Sequence, residues 1–160
     1  MCMSIERVKK YLAGFGAEKR ILELGESSAT VELAAQAIGC VPERIAKSLT
    51  FRVGEVPVMI VAAGDCKVDN AKYKARFGTK AKMLSPAEVE ELTGHSVGGV
   101  CPFGINDGVE IYLDESLKRF ETVFPACGSS NSAIELSPEE LERFSGGCEW
   151  VDVCKGWERE

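Results

Sequence analysis

KSLTFRVGEVPVMIVAA, residues 47–63, carries the strongest structural signal in the chain. The runs Lys47–Val53 and Pro57–Ala63 are rich in β-branched and aromatic residues, which favour strands. Between them, Gly54-Glu55 places glycine first, as a two-residue hairpin turn requires. We therefore predict an antiparallel β-hairpin as the best-defined element of the fold.

Helices and further short strands are predicted on both sides of this hairpin. Capping residues and glycine stops mark the helices, which are predicted over residues 5–15, 31–38, 70–77, 86–93, 115–120 and 138–144. Short strands are predicted over residues 20–24, 82–84, 109–113, 122–126, 133–136 and 150–153. Because strands and helices do not alternate strictly, the pattern predicts a single α+β domain over residues 1–160, with a mixed sheet.

Composition restricts the class of protein. The chain has 160 residues, of which 45% are hydrophobic and 28% charged, as in a soluble globular domain. The net charge of -6 argues against binding nucleic acid over the whole surface, although lysines crowd between Lys67 and Lys82. No signal peptide is visible, and the longest apolar run, Val56–Gly64, is too short to span a membrane. We therefore expect a cytoplasmic protein without a membrane anchor.

The cysteines are scattered along the chain. There are seven, no two are spaced Cys-x-x-Cys, and His95 is the single histidine. This pattern predicts reduced thiols and argues against a zinc site. His95 and Cys101 could form the dyad of a cysteine-dependent hydrolase, an alternative that the spacing does not require.

Two glycine-rich loops are the first candidates for ligand binding. The sequence GGVCPFG, residues 98–104, has three glycines and a proline. Such a loop can present a rigid row of backbone N–H groups to an anion or a developing oxyanion, or it can be a tight connection. The sequence GSSN, residues 128–131, can bind a polar ligand through its hydroxyls and amide, or can satisfy a turn.

Lys47 is the candidate cation. It begins the first strand of the hairpin, where it is either a solvated edge charge or an ammonium that points into a cleft. In a cleft it would bind a phosphate or carboxylate, or polarise an ester. No two carboxylates lie at a meaningful spacing, so no acid–base pair is predicted.

Taken together, four stretches resemble the YbaK/ProX family of freestanding aminoacyl-tRNA deacylases. These proteins are related to the editing domain inserted in bacterial prolyl-tRNA synthetase. The resemblance covers roughly residues 20 to 145 and implies one editing domain with a curved, barrel-like sheet surrounded by helices. It also implies hydrolysis of the ester between a wrong amino acid and the tRNA 3′ adenosine. The four stretches, in the family's order, are Lys47–Leu49, Met59–Ala62, Gly98–Gly104 and Ala126–Leu136.

The resemblance implies roles for particular residues. Lys47 matches the family's essential lysine, which holds the tRNA end and the substrate. Gly98 to Pro102 matches its Gly-x-x-x-Pro loop, whose backbone holds the aminoacyl group or a water near the scissile carbonyl. The expected catalytic residues are thus Lys47, Gly98 and Gly99, with no metal and no cofactor. The expected substrate-binding residues are Thr30, Ser48, Val100, Cys101, Pro102, Gly128, Ser129 and Asn131.

The resemblance leaves the substrate open. The alanine-removing branch has a histidine near the second glycine loop, where this chain has Ser129 and Ser130. Cysteine on tRNA(Pro) is therefore the first expected substrate, and its own thiol could attack the ester. The expected partners are a mischarged tRNA, through its 3′ aminoacyl end and acceptor stem, and prolyl-tRNA synthetase. The alternative is a non-catalytic module that binds tRNA ends or a synthetase.

Overall fold

The predicted hairpin forms the centre of the sheet. In the computed structural model, which describes residues 3–25, 27, 30–95, 99–146 and 149–156, strand β2 is Ile45–Val53 and strand β3 is Val56–Ala63. They pair antiparallel from Val53↔Val56 to Ala46↔Ala63. Gly54 has φ 63°, a conformation that glycine adopts without strain, so the turn is the one predicted.

Three further strands complete a five-stranded mixed sheet of order β6-β2-β3-β5-β8. The hairpin is antiparallel, whereas the β2–β6, β3–β5 and β5–β8 pairs are parallel. This confirms the predicted α+β class and mixed sheet. The added strands are β5 (Glu110–Asp114), β6 (Phe124–Pro125) and β8 (Glu149–Val151).

Two small antiparallel sheets lie beside the large one. Strand β1 (Ile21–Glu23) pairs with β7 (Ser132–Ile134), and β4 (Lys67–Val68) pairs with β9 (Cys154–Lys155). The single bridge between Ala126 and Ala133 connects β6 to β7. The large sheet thereby continues toward β1 and curls into the half-barrel that the resemblance implied.

Four of the five α-helices described begin at the predicted capping residues, whereas α1 begins two residues before its predicted start. Thr30 caps α2 and Asp69 caps α3, while Ser85 and Ser137 each form a complete capping box for α4 and α5. These side chains satisfy N–H groups that a helix cannot pair internally, which is why the starts could be read locally. The helices of the described residues are α1 (Met3–Ala13), α2 (Val31–Ile38), α3 (Asn70–Phe77), α4 (Pro86–Thr93) and α5 (Pro138–Phe144).

The core is built on β3. Its residues from Val58 to Ala63 are at most 1% exposed, because neighbouring strands and packed elements cover both faces. The largest buried side chains around it include Tyr73, Phe103 and Phe144. None of the helices described is both long enough and apolar enough to cross a bilayer.

One predicted strand was wrong, because pairing across the fold decided it. Residues 82–84 form no strand but one bridge, Phe51↔Met83. The short helix predicted over 115–120 is present as a 3-10 helix, Glu115–Arg119. Strand β9, which pairs with β4, was not predicted.

An ion pair between Arg20 and Glu140 ties the turn before β1 to the start of α5. Two N–H groups of Arg20 donate to the carboxylate at 2.7 and 3.0 Å. The pKa of Glu140 is lowered to about 2, chiefly by the hydrogen bond from Arg20. Because this carboxyl has a lower pKa in the folded protein than its ordinary value of 4.5, the pair stabilises the fold above about pH 4.5. That contribution is lost as the pH falls toward 2.

We expect Glu140→Gln to lower the free energy of unfolding by about 1 kcal/mol at pH 7, since solvent screens part of the interaction. Glutamine retains the capping box, so the change isolates the charge. Urea unfolding at pH 7 and at pH 2 measures the effect, which should vanish at the lower pH. An equal loss at both values would show that the ion pair is not its source.

Candidate functional site

Lys47 lies on β2 and points its ammonium at the chain that follows β3. In the sheet it is paired with Ala62. Its Nζ donates to the carbonyl of Gly64 at 3.4 Å and to the carbonyl of Cys66. The side chain is half-buried. The Lys47 ammonium is therefore fixed at the edge of the core by two backbone carbonyls and is not a freely solvated charge.

Gly64 brings the start of α2 against this lysine. A Cβ at position 64 would lie 2.1 Å from the carbonyl oxygen of Pro42 and 2.8 Å from Cγ1 of Val31. Both distances are too short for any side chain, so only glycine permits this approach. The Lys47 ammonium and the first residue of α2 thus contact the same glycine.

The first glycine loop packs directly on the second. A Cβ at Gly99 would lie 2.4 Å from the backbone N of Ser129 and 2.5 Å from the carbonyl carbon of Gly128. The backbone N–H of Gly128 donates to the carbonyl of Gly99 at 3.0 Å. The two loops predicted as separate candidates therefore form one unit. Gly98, predicted as catalytic, lies outside the described residues.

Val100 is the part of the first loop that reaches the surface among residues 99–102. Gly99, which ends a 3-10 helix, is buried, as are Cys101 and Pro102, whereas Val100 is half-buried. A ligand that approaches the packed loops would therefore meet Val100 first.

Adjacent strands carry Lys47 and the second glycine loop. Ala46, the residue before Lys47, pairs in parallel with Pro125 of β6. Gly128 follows only three residues after Pro125, so both features extend from the same end of neighbouring strands. The topology thus brings Ala46 and Pro125, which are 79 positions apart in sequence, side by side in the sheet.

Several predicted binding residues have structural partners. The Thr30 hydroxyl accepts the N–H of Leu33 as the cap of α2. The Asn131 side-chain amide donates to the carbonyl of Leu24 at 3.1 Å, which fastens the end of β1. The Ser129 hydroxyl donates to the Ser132 hydroxyl at 2.8 Å. These contacts give the three residues a role in holding the loops.

Ser48 differs from them. Its hydroxyl oxygen is buried and has no hydrogen-bond partner in the described part of the chain. It lies next to Lys47 but on the opposite face of β2, because side chains alternate along a strand. Its position therefore separates it from the Lys47 ammonium.

His95 and Cys101 come together but are poorly suited to nucleophilic catalysis. Cys101 Sγ lies 3.8 Å from His95 Nε2, and both side chains are fully buried. That nitrogen also lies 2.8 Å from the carbonyl of Phe103, to which it must donate a proton. Burial raises the pKa of Cys101 to about 12 and lowers that of His95. A thiol in this state supplies almost no thiolate at neutral pH.

Cys127 is in the same condition. It is buried, and its pKa is raised well above the ordinary value, first by that burial. The whole of Cys101, backbone included, is 0% exposed, so it presents no group at the surface. The thiols beside both glycine loops are thus packing residues.

A second feature is a basic cleft on α3, about 470 Å³ in volume. Lys72 and Arg76 of this helix are paired with Asp152 and Glu149. Lys74 and Lys80 have no ion-pair partner among the described residues and are left for an external anion. The cleft is lined by Asn70, Ala71, Lys74, Lys80 and Ala81.

Two contributors were missed by sequence reasoning. Gly64 and Cys66 position Lys47 through their carbonyls, and Gly64 also admits α2. The only signal for them is a glycine that ends a fully apolar strand. A backbone carbonyl leaves no mark on residue type, so it could not have been read as a lysine partner.

Comparisons with known proteins agree with this architecture. The chain is 57% identical over 157 residues to the uncharacterized protein YwhH of Bacillus subtilis strain 168, covering 98% of this chain and all of that protein. It is 36% identical to a proline–tRNA ligase of Kosmotoga olearia over 141 residues. That match covers 85% of this chain but only 24% of the ligase, so it concerns one region of a much longer protein.

A solved structure matches over almost the whole length. It is a crystal structure described as that of a candidate trans-editing enzyme for prolyl tRNA synthetase. The TM-score is 0.86 at 32% identity, with 96% of this chain and 98% of the other covered. The aminoacyl-tRNA editing domain family matches residues 25–144, a span that contains Lys47, Gly64 and both glycine loops. The chain therefore belongs to the aminoacyl-tRNA editing domain family.

Proposed function

We propose that this protein hydrolyses the ester that joins a wrongly attached amino acid to the 3′ end of a tRNA, acting in trans in the cytoplasm. The observation that carries this proposal is the packing of the two glycine loops within the matched editing domain. Gly128 donates to Gly99, and the half-buried Val100 lies at the surface beside this contact. Family membership supplies the substrate class.

The proposed chemistry needs few groups. A water molecule attacks the ester carbonyl, which places negative charge on the carbonyl oxygen, and the proton that the water loses goes to the departing ribose oxygen. The backbone of the first loop stabilises the negative charge. The Lys47 ammonium holds the 3′ end of the tRNA and adds positive charge near the reacting ester. The bond to the ribose oxygen then breaks, releasing the amino acid and the tRNA 3′ hydroxyl. An aminoacyl ester is activated, so this set suffices without an acid–base pair.

The amino acid we propose first is cysteine on tRNA(Pro). Ser129 and Ser130 stand in the second loop, where the alanine-removing branch has a histidine. A cysteine substrate also brings a nucleophile of its own, since its thiol can attack the ester carbonyl in place of water. That attack expels the tRNA 3′ hydroxyl, which takes up the thiol proton, and leaves a cyclic thioester that water then opens to free cysteine. Discrimination is then a matter of pocket shape, in which one methylene changes binding by about 1–3 kcal/mol.

A deacylation screen tests the proposal. The chain is mixed with tRNA(Pro) charged with cysteine, alanine or proline, and with tRNA(Cys) charged with cysteine. We expect Cys-tRNA(Pro) to lose its amino acid fastest and Pro-tRNA(Pro) to persist. Tight tRNA binding without cleavage of any ester would instead support the non-catalytic module.

We propose that the tRNA acceptor stem lies on the basic cleft of α3. The net charge of the chain is -6, so a phosphate backbone is attracted only where lysines are not paired. Lys74 and Lys80 meet that condition among the described residues. The cleft would therefore position the stem while the chemistry takes place elsewhere.

We expect the double change Lys74→Glu and Lys80→Glu to weaken tRNA binding about tenfold or more and to flatten its salt dependence. Filter binding at several salt concentrations measures both. Hydrolysis of a short aminoacylated CCA-end substrate, which does not reach the cleft, should be unchanged. The control is Lys10→Glu, an exposed charge change on α1. Equal losses in the double variant and in this control would exclude the cleft as the docking surface.

A further inference from the structure

Three potential metal ligands meet in the interior, close to Lys47. They are Cys66 after β3, Asp114 at the end of β5 and Cys154 at the start of β9. Their ligand atoms all lie within 4.8 Å of one another. Each residue is fully buried. The cluster lies outside the glycine loops and has no part in the proposed hydrolysis.

The carboxylate of Asp114 is the unusual member. Its two oxygens accept the backbone N–H groups of Ser116 at 2.9 Å and of Val153 at 3.0 Å. No lysine or arginine in the described ranges forms an ion pair with it. A buried carboxylate without a cation is costly. A bound metal ion would compensate its charge.

The spacing fits zinc without a change of backbone. Zn–S bonds of about 2.3 Å in a tetrahedron place two sulfurs about 3.8 Å apart. This distance is less than the 4.8 Å within which all the ligand atoms of the cluster lie. The Ser116 hydroxyl lies 3.5 Å from Cys66 Sγ and is buried with it, so it or a water can complete the set.

A disulfide fits less well. Cys154 stands opposite Val68 in the β4–β9 pair, two residues beyond Cys66. Both cysteines are present as reduced thiols in the structure, and a disulfide would have to bring their sulfurs to about 2.0 Å of each other. Coordination to a metal needs no such approach of the two sulfurs.

We propose that Cys66, Asp114 and Cys154 bind a thiophilic divalent cation of the zinc class, with the Ser116 hydroxyl or a water as fourth ligand. Binding displaces the two thiol protons into solvent. The absence of a Cys-x-x-Cys motif predicted no zinc site, but this ligand set is assembled from residues far apart in the sequence. The ion would fasten β9 to the segment whose Cys66 carbonyl receives Lys47.

Cobalt binding tests the proposal without relying on deacylation. The full chain is stripped with a chelator under reducing conditions and titrated with Co²⁺. We expect one equivalent per chain, an intense near-ultraviolet thiolate-to-cobalt band, and loss of that band on adding Zn²⁺. Failure of the reduced chain to bind either metal would overturn the proposal.

Variants identify the ligands. Cys154→Ser and Asp114→Asn should weaken cobalt binding at least tenfold, whereas Cys40→Ser, which removes a half-buried thiol after α2, should bind as the unchanged chain does. The assignment would be contradicted if Cys154→Ser bound cobalt as tightly as the unchanged chain, or if Cys40→Ser lost cobalt binding.

If the ligand variants do not fold, alkylation of the unchanged chain in partially denaturing urea decides, because both thiols are buried in the folded protein with or without a metal. Zinc should slow the reaction of Cys66 and Cys154 with iodoacetamide relative to the metal-free chain, as measured by mass spectrometry, and leave that of Cys40 unchanged. Protection confined to other cysteines, or a Cys66–Cys154 disulfide that forms in place of metal binding, would exclude the site.

Discussion

Replacing Lys47 by methionine is expected to lower kcat/KM for deacylation of Cys-tRNA(Pro) by about 10²–10³-fold. Methionine keeps most of the apolar stem of lysine but removes the ammonium. In the proposed mechanism that charge holds the tRNA end beside the ester, so both the binding and the chemical step lose a favourable interaction. Steady-state kinetics with the mischarged tRNA measure the loss.

The same change also affects stability, and this must be separated from catalysis. The carbonyls of Gly64 and Cys66 lose their donor, which costs about 1–3 kcal/mol if water does not replace it. Urea unfolding shows whether the variant is folded under assay conditions. The matched control is Lys67→Met, an exposed lysine of β4, which should keep its activity. A folded Lys47→Met protein that hydrolyses at the unchanged rate would exclude the lysine from the mechanism.

Features set by neighbouring residues could be predicted from the sequence. The caps at Thr30, Asp69, Ser85 and Ser137 depend on contacts three residues away, and the turn at Gly54 depends on two adjacent strands. Such contacts repeat in any protein with the same local pattern. These four helix starts and the central hairpin were therefore correct.

Features that depend on distant partners could not be predicted in the same way. The two-residue strands β4 and β9 exist only because Lys67 pairs with Lys155. The separation of 88 positions leaves no periodic signal in either segment. The same limit applies to the Cys66–Asp114–Cys154 cluster, which spacing rules for zinc sites do not detect.

The candidate site lies between these two cases. Lys47 and both glycine loops were identified by residue type, since a cation in a strand and glycines in a loop are visible in sequence. That Gly99 lies against Gly128 was not visible, because van der Waals contact between backbones carries no side-chain pattern. His95 was considered as half of a dyad with Cys101, and its full burial was not visible either, since packing against the Phe103 segment decides its environment.

Gly99→Ala is expected to lower kcat/KM for deacylation about 10²-fold, the usual effect of misplacing a catalytic group by 1 Å. The added methyl would lie 2.4 Å from the backbone N of Ser129 and 2.7 Å from its Cα. Because the obstructing atoms are backbone, no side-chain rotation relieves the contact, and the loops must move apart. That movement breaks the hydrogen bond from Gly128 to Gly99 and displaces the backbone of the first loop.

Gly25→Ala is the matched control for this change, because a Cβ there meets nothing within 4 Å and the residue has no positive φ. Alanine at such a site restricts the unfolded chain, so stability should be unchanged or slightly higher. The Gly99 variant should instead unfold at a lower urea concentration, because its free energy of unfolding is expected to fall by about 1–3 kcal/mol. If Gly99→Ala remained as stable and as active as Gly25→Ala, the loops would not need their observed contact. Such a result would also show that the backbone N–H groups of the first loop do not take part in ester hydrolysis, since the reaction would continue although the loop had moved.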